Sequence, residues 1–557
     1  MLKNNIIYNN KLGQDMKYKK FNKVDIKDRT WPDKSIDQAP LWCSVDLRDG
    51  NQALIKPMSL EKKVRFFNLL VEIGFKEIEI GFPSASEVEY EFTRYLIEND
   101  LIPDDVRIQI LTQAREHLIK KSAEALIGAK NITVHLYNST STMQREIVYH
   151  KSQKEIIDIA LNGVAWIKEY FRDFEGDLQF EYSPESFTQT ELEFAADISN
   201  AVIDAWNPKE GEKVVINLPS TVESATPNIY ADQIEWMCRN IKRRDQVLIS
   251  LHSHNDRGCA VAATELGLMA GADRVEGTLL GNGERTGNVD IITLALNMYT
   301  QGVDPKLDFS DVDKIVKMVE GANEIKTHVR HPYVGELVYT AFSGSHQDAI
   351  KKGMALQKEG SQWKVPYLPI DPKDVGRNYD AIIRINSQSG KGGVAYILDS
   401  GFGYKIPKKM EPFVGRVIQE RSDKVDGVLS ERDIFDIFSK TFINRNELIS
   451  IKNIKIDITD REVSVEGNFL IDGVTYFAYV KADGIIEAIS EIFHQFGEKF
   501  EVVEYEEHAL SKGVDSQAVA YFGIRNEKGL FFGVGIDKNI SYASINALVS
   551  ALNISRG

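Results

Sequence analysis

The sequence predicts an α/β protein: a (β/α)8 TIM barrel, then linker subdomains, then a C-terminal α+β domain built of two βββα repeats. Three observations predict it. Between Trp42 and Gln301, eight short apolar runs alternate with segments of helical periodicity. Polar and titratable residues collect where those runs end. From about Glu420 a pattern of three strands and a helix occurs twice.

The eight runs read WCSVDL, EIEIGF, RIQILT, NITVHLY, DLQFEYS, KVVINLP, QVLISLH and RVEGTLL. Strands that alternate with helices lie parallel with right-handed crossovers, and eight such units in about 250 residues is the size of a closed barrel. A doubly wound open sheet is the competing fold. The first helix begins after Ser59, a good N-cap, carries Leu60, Val64, Phe67 and Val71 on one face, and should stop at Gly74. In a barrel, chemistry sits at the C-terminal strand ends. Arg48 and Asp49 follow strand one, His135 lies in strand four, and Glu185 follows strand five. Thr221 follows strand six, His252 and His254 end strand seven, and Asn288 follows strand eight. Groups drawn from all around the sequence converge on one mouth only if the sheet closes, which favours the barrel.

The tail repeats itself. IKNIKIDI, REVSVEGNFL and VTYFAYV precede a helix from Ile485 to Phe496, and KFEVVEYEEHAL, SQAVAYFGI and LFFGVGI precede one from Ser541 to Leu552. The divisions expected are an N-terminal extension at 1–40, the barrel at 41–304, linkers at 305–424 and the C-terminal domain at 425–557. Residues 1–25 or so read as a mobile leader, polar and without the apolar stretch of a secretory signal. The NSQSGKGG stretch at 386–393 reads as a loop and lacks P-loop spacing.

Composition narrows the function. With 43% hydrophobic and 27% charged residues, the 557-residue chain has material for more than one core. Its 67 basic against 82 acidic residues leave −15, which argues against a nucleic-acid partner or an anionic membrane surface. Cys43, Cys238 and Cys259 show no CxxC spacing, so neither a disulfide framework nor a thiolate metal site is expected, and a reducing, cytoplasmic compartment fits.

His252-Ser253-His254 is the sharpest local signal, because residues two apart on a strand present both imidazoles to one side. Alone, such a pair is more often an exposed or core pair. Asp49 and Asn288, at the ends of strands one and eight, strengthen the metal reading, since those strands are neighbours in a closed barrel. Two imidazoles, a carboxylate and an amide oxygen suit Mg²⁺, Mn²⁺ or Zn²⁺ and do not choose among them.

WCSVDLRDGNQALIKPMS and LHSHNDRGCAVAATELGLMAGADRVEGTLLGNGERTGNVD closely resemble the long form of the 2-isopropylmalate synthases. RTWPDKSIDQAPLW and HPYVGELVYTAFSGSHQDAIKKG match as well, and the resemblance covers roughly residues 25–557. It implies a divalent metal, Mg²⁺ first, held by Asp49, His252, His254 and Asn288. It implies condensation of acetyl-CoA with 3-methyl-2-oxobutanoate, then thioester hydrolysis, at the first committed step of leucine biosynthesis. Arg48 would neutralise the developing oxyanion or enolate, a salt-bridge role being set aside, and Glu284 resembles a catalytic acid. His135, Glu185 and Thr221 would line the oxo-acid pocket. His346 and Tyr379, beyond the barrel, match residues that serve as base and partner, reaching the site from a second subunit of a homodimer. The tail would bind leucine as feedback inhibitor. Gly281 and Gly283 would allow close backbone approach. The alternatives are a citramalate synthase using pyruvate, or a metal-dependent lyase or hydrolase on the same barrel.

Overall fold

The computed structural model describes residues 20–377, 391–422, 429–459, 462–510 and 516–557. The chain divides into two compact units: the first runs to Val338 and takes back Pro372–Arg377, and the second comprises Tyr339–Asp371 and the chain from Asn378 onward.

In the first unit, β1 (Leu41–Ser44), β2 (Glu77–Gly81), β3 (Arg107–Gln113), β4 (Asn131–Ser139), β5 (Asp177–Glu185), β6 (Val214–Ser220), β7 (Val247–Ser253) and β8 (Arg274–Gly277) close into one barrel. Closure is made by parallel pairing of β1 with β8, Trp42 opposite Val275 and Ser44 opposite Gly277. The outer ring is α1 (Leu60–Ile73), α2 (Glu87–Glu98), α3 (Glu116–Ala125), α4 (Gln153–Tyr170), α5 (Leu192–Trp206), α6 (Pro227–Asn240), α7 (Ala260–Met269) and α8 (Ile291–Thr300), with α9 (Val312–Asn323) following.

Helix α1 starts and stops where expected. Ser59 accepts the Lys62 amide and Gly74 closes the helix at φ 109°. Its buried face is rotated from the predicted one, running through Lys63, Phe66, Phe67 and Leu70, while Leu60, Val64 and Val71 are half-buried. The reason is Lys63: its ammonium is paired with Glu89 and donates to the Leu47 carbonyl, so a charged residue occupies the inward stripe.

The barrel interior departs from the usual filling by branched apolar side chains. Strand alternation turns Ile78 and Ile80 outward under the helices and Glu79 inward. Gln109, His135, Glu181, Asn217, Arg274 and Glu276 are buried with it. Charges in such a place are tolerable only because they are paired and hydrogen-bonded to one another.

The extension is ordered earlier than the leader reading allowed. Val24 and Ile26 are buried, and Arg29 donates from Nε and Nη2 to both oxygens of Asp232 on α6, each at 2.8 Å. Residues 1–19 lie outside the described residues.

The second unit begins with α10 (Gly344–Leu356), α11 (Lys391–Phe402), α12 (Glu411–Ser422) and α13 (Glu431–Phe442). Lys391–Gly393, read from sequence as loop, open α11, while 386–390 lie outside the described residues. Two βββα repeats follow: β9 (Ile449–Ile458), β10 (Val463–Ile471), β11 (Val474–Ala482) and α14 (Ile485–Gln495), then β12 (Glu501–Ala509), β13 (Ala518–Asn526), β14 (Gly529–Asp537) and α15 (Ile540–Arg556). Each repeat forms its own three-stranded antiparallel sheet, in the orders β11-β10-β9 and β12-β13-β14. One apolar core joins the two repeats, from Phe469 and Phe493 to Phe522 and Leu548.

Candidate active site

Eight of the residues singled out in the sequence line one cavity of about 270 Å³ at the C-terminal mouth of the barrel: Arg48, Asp49, His135, Glu185, Thr221, His252, His254 and Glu284. Phe82 just after β2, Leu111 on β3 and Tyr137 on β4, neighbouring strands, add apolar surface, and Pro219 lies on β6 beside His252.

Asp49 follows β1 on a single turn of π-helix, Asp46–Gly50, whose amides fold back on the Val45 carbonyl. The turn puts Asp49 Oδ2 3.1 Å from His252 Nε2 and 3.6 Å from His254 Nε2. The ligand atoms of all three lie within 4.8 Å of one another, and all three residues are buried. Asn288 is bridged by its backbone to His254. Its Nδ2 donates to the Asn282 carbonyl at 3.2 Å, while its Oδ1 is buried with no hydrogen-bond partner.

A buried amide oxygen with no hydrogen-bond partner beside two imidazoles and a carboxylate suits a cation, because an orphaned acceptor is otherwise costly. The donor set therefore fits a divalent cation. The glycine loop serves this residue. A Cβ on Gly283 would stand 2.3 Å from Asn288 Nδ2, so the close approach expected at Gly283 is to Asn288.

Electrostatics sharpen the roles. Burial would raise the Asp49 carboxyl, but Arg48 beside it and the two imidazoles hold it far below the usual carboxylate range. Burial lowers His252, yet hydrogen bonds to Asp49 and Glu276 outweigh that and raise it to about 9. His254 is pushed down to about 4 by burial and by the charge on His252. The two imidazoles present their Nε2 atoms toward the same carboxylate oxygen of Asp49.

Arg48 is braced rather than free. Its Nε donates to Glu79 Oε2 and its Nη1 lies 3.2 Å from Asp49 Oδ1, so the salt-bridge role set aside in the sequence reading is present. His135 is held by Glu79 at 2.9 Å on Nδ1 and by Ser183 at 2.7 Å on Nε2. Glu185 accepts from the Ser139 hydroxyl, and the Thr221 hydroxyl oxygen accepts the Ser186 amide at 2.9 Å, which leaves its proton to donate into the cavity. His346 lies in the second unit, exposed on the first turn of α10, its ring stacked on Tyr367 with centroids 4.0 Å apart. Tyr379 lies outside the described residues.

Sequence reading missed Glu79, Ser183, Asn217 and Glu276. The signal was present in EIEIG and RVEG, where a charged residue at every second position of a barrel strand must face the interior.

Residues 39–319 match the HMGL-like family, so fold and site together define an HMGL-like barrel enzyme. Residues 336–399 match the alpha-isopropylmalate synthase, post-catalytic domain-like family, and 428–555 match the LeuA allosteric (dimerisation) domain. A 2-isopropylmalate synthase of Clostridium acetobutylicum is 54% identical, over 97% of this chain and 99% of its own. Those of Acetoanaerobium sticklandii and Pseudomonas savastanoi are each 52% identical, over 96% and 97% of both chains respectively. The chain belongs to the 2-isopropylmalate synthase family.

Proposed function

We propose that this enzyme condenses acetyl-CoA with 3-methyl-2-oxobutanoate and hydrolyses the resulting thioester, giving 2-isopropylmalate and CoA. The observation that carries this reading is the meeting, in one cavity, of the Asp49–His252–His254 cluster, the Arg48 guanidinium and the apolar surface of Phe82, Leu111 and Tyr137. Charged groups and apolar surface in one cavity suit an oxo acid with a branched tail.

Asp49, His252, His254 and Asn288 would hold the divalent cation, and Mg²⁺ is the ion proposed ahead of Mn²⁺ or Zn²⁺. When bound, that cation supplies Lewis acidity at the keto oxygen of the substrate. Arg48 supplies positive charge where oxyanion character develops, and its bracing by Glu79 means no reorganisation is needed at that moment. Thr221 donates its free hydroxyl proton to the substrate carboxylate, with His135 and Glu185 shaping the pocket. Glu284, on the loop after β8, lines the same mouth and is assigned proton transfer to the alkoxide. His346 takes a proton from the acetyl methyl group with Tyr379 as its partner, both supplied by a second subunit. The methyl carbon adds to the keto carbon, the alkoxide gains a proton, and water then cleaves the thioester to release CoA.

The LeuA allosteric match supports a homodimer and inhibition by leucine. Phe477 and Tyr479, two apart on β11 and exposed on one face of its sheet, suit the dimer contact. No helix among the described residues is long and apolar enough to cross a membrane, and a cytoplasmic site of action is proposed.

The test is CoA release from acetyl-CoA with Mg²⁺ or Mn²⁺, comparing 3-methyl-2-oxobutanoate, pyruvate and 2-oxoglutarate, with and without leucine. Preference for the branched acid, suppressed by leucine and lost in His252→Ala, is the expected result. Preference for pyruvate would make the enzyme a citramalate synthase, and no metal-dependent release with any of the acids would overturn the condensation.

A further inference from the structure

We infer that Glu276 is a positioning residue: it sets the orientation and tautomer of His252, and it begins a buried hydrogen-bonded chain that ends on Arg48. The inference rests on the reading of His252 as a metal ligand.

The register of β7 against β8 places His252 directly opposite Glu276. Both point into the barrel, and His252 Nδ1 lies 2.8 Å from Glu276 Oε2. With Nδ1–H donated to a carboxylate, Nε2 is the nitrogen left for an ion, and it is the one facing Asp49 at 3.1 Å. The negative charge also makes the imidazole a better electron donor.

Glu276 is itself immobilised. Its Oε1 accepts from Arg274 Nη1 at 3.0 Å and Gln109 Nε2 at 2.9 Å, and its Oε2 accepts from Asn217 Nδ2 at 3.1 Å as well as from His252. From there the chain runs through Asn217 to Ser183 at 3.0 Å, to His135 at 2.7 Å, to Glu79 at 2.9 Å, and so to Arg48. Gln109 closes a shorter path, also donating to Glu79 at 3.1 Å. One network thereby holds both the ligand and the cation that meet across the cavity.

A plain counter-ion role for Glu276 is weaker on geometry. Arg274 already has Glu77 at 2.6 Å and Glu181 at 3.4 Å, and among these three carboxylates Glu276 is the one bonded to His252.

The experiment uses the full-length chain and reads metal directly: Mn²⁺ affinity by calorimetry and the visible spectrum of the Co²⁺-loaded protein. Glu276→Gln should bind about 10- to 100-fold more weakly and shift the Co²⁺ bands. Glu77→Gln, which removes a partner of Arg274 without touching His252, should change neither. Glu276→Asp, which keeps the charge and withdraws the oxygens, should fall between them. Unchanged affinity and spectrum in Glu276→Gln, or an equal loss in Glu77→Gln, would overturn the inference. Should both Glu276 variants fail to fold, ¹⁵N-histidine spectra of the metal-loaded wild-type protein decide: a proton on His252 Nδ1 is required, and metal on Nδ1 refutes it. If the wild type binds no Mn²⁺, or His252→Ala binds as tightly, the metal-site reading itself fails.

Discussion

Arg48 and Glu79 face each other below the cavity, guanidinium Nε against carboxylate Oε2, both almost wholly withdrawn from solvent. Arg48 cannot be treated as a mobile surface cation. It enters the site already oriented, with Nη1 3.2 Å from Asp49 Oδ1. Arg48→Ala should lower kcat about 10²- to 10³-fold, the cost of one preorganised charge-stabilising donor. Arg48→Lys should recover little, because an ammonium cannot bond Glu79 and face Asp49 in the same fork. Steady-state CoA release measures both, and a Lys variant near wild-type activity would show that the fork is not needed.

Gly283 and Asn288 give a prediction in the opposite direction, from backbone to ligand. A methyl at residue 283 would come within 2.3 Å of Asn288 Nδ2, and the amide group is the part able to yield. Gly283→Ala should therefore swing Asn288 off its position and weaken metal binding by about an order of magnitude or more, as loss of a ligand's support does. The unfolding temperature should fall as well, since Gly283 sits at φ 157°, where a side chain is strained, but the chain should stay folded at working temperature. Calorimetric titration with Mn²⁺ beside a thermal scan separates the two, and a fall in stability without loss of affinity would refute this use of the glycine.

These two cases show what was legible in the sequence. Asp49, His252, His254 and Asn288 could be placed at strand ends because they lie close in sequence to the apolar runs that mark the strands. The bracing residues were less visible. Glu79, Asn217 and Glu276 sit inside strands, where a charged letter looks like a solvent-facing one until closure of the barrel decides which side is interior. Helix α1 was misphased for the same reason, since Lys63 faces inward only because Glu89 meets it. The two tail repeats were visible because each side-chain pattern needs only neighbouring strands. His346 lies on α10 of the second unit, and its proposed part at the barrel mouth would depend on assembly, which no local pattern encodes.

Asp46 offers a pH test. It is fully buried, and burial raises its carboxyl from 3.8 to about 7, although the Leu279 amide at 3.1 Å and the Ser44 hydroxyl at 2.9 Å pull the other way. The folded state then keeps a proton that the unfolded chain gives up between about pH 4 and 7. Stability from this group is present at low pH and falls as pH rises through that window, levelling off above about 7. A shift of this size corresponds to at most about 4 kcal/mol. Asp46→Asn keeps an acceptor for Leu279 and removes the titration. Between pH 5 and 8 the wild-type melting temperature should therefore drop several degrees more than that of Asp46→Asn, and parallel curves would refute the assignment.

The last prediction concerns the tail, where β14 and α15 approach too closely for any side chain. A Cβ on Gly535 would lie 1.9 Å from the Ala543 carbonyl oxygen and 2.3 Å from the Ala547 amide nitrogen, and one on Gly533 would lie 2.2 Å from the Ala551 amide nitrogen. The obstacles are backbone atoms of a helix, so nothing local can yield and the helix must lift as a body. Ala543, Ala547 and Ala551 are all fully buried, and they present the small face that permits the contact. Gly535→Ala should cost at least the 1–3 kcal/mol of ordinary overpacking. Because the tail has its own core, spanning both repeats, the loss should appear as an earlier transition of that domain with the barrel transition in place. Calorimetry of the full-length chain resolves the two. An unchanged first transition would mean that α15 slides rather than lifts, and that the glycines are not what holds it against the sheet.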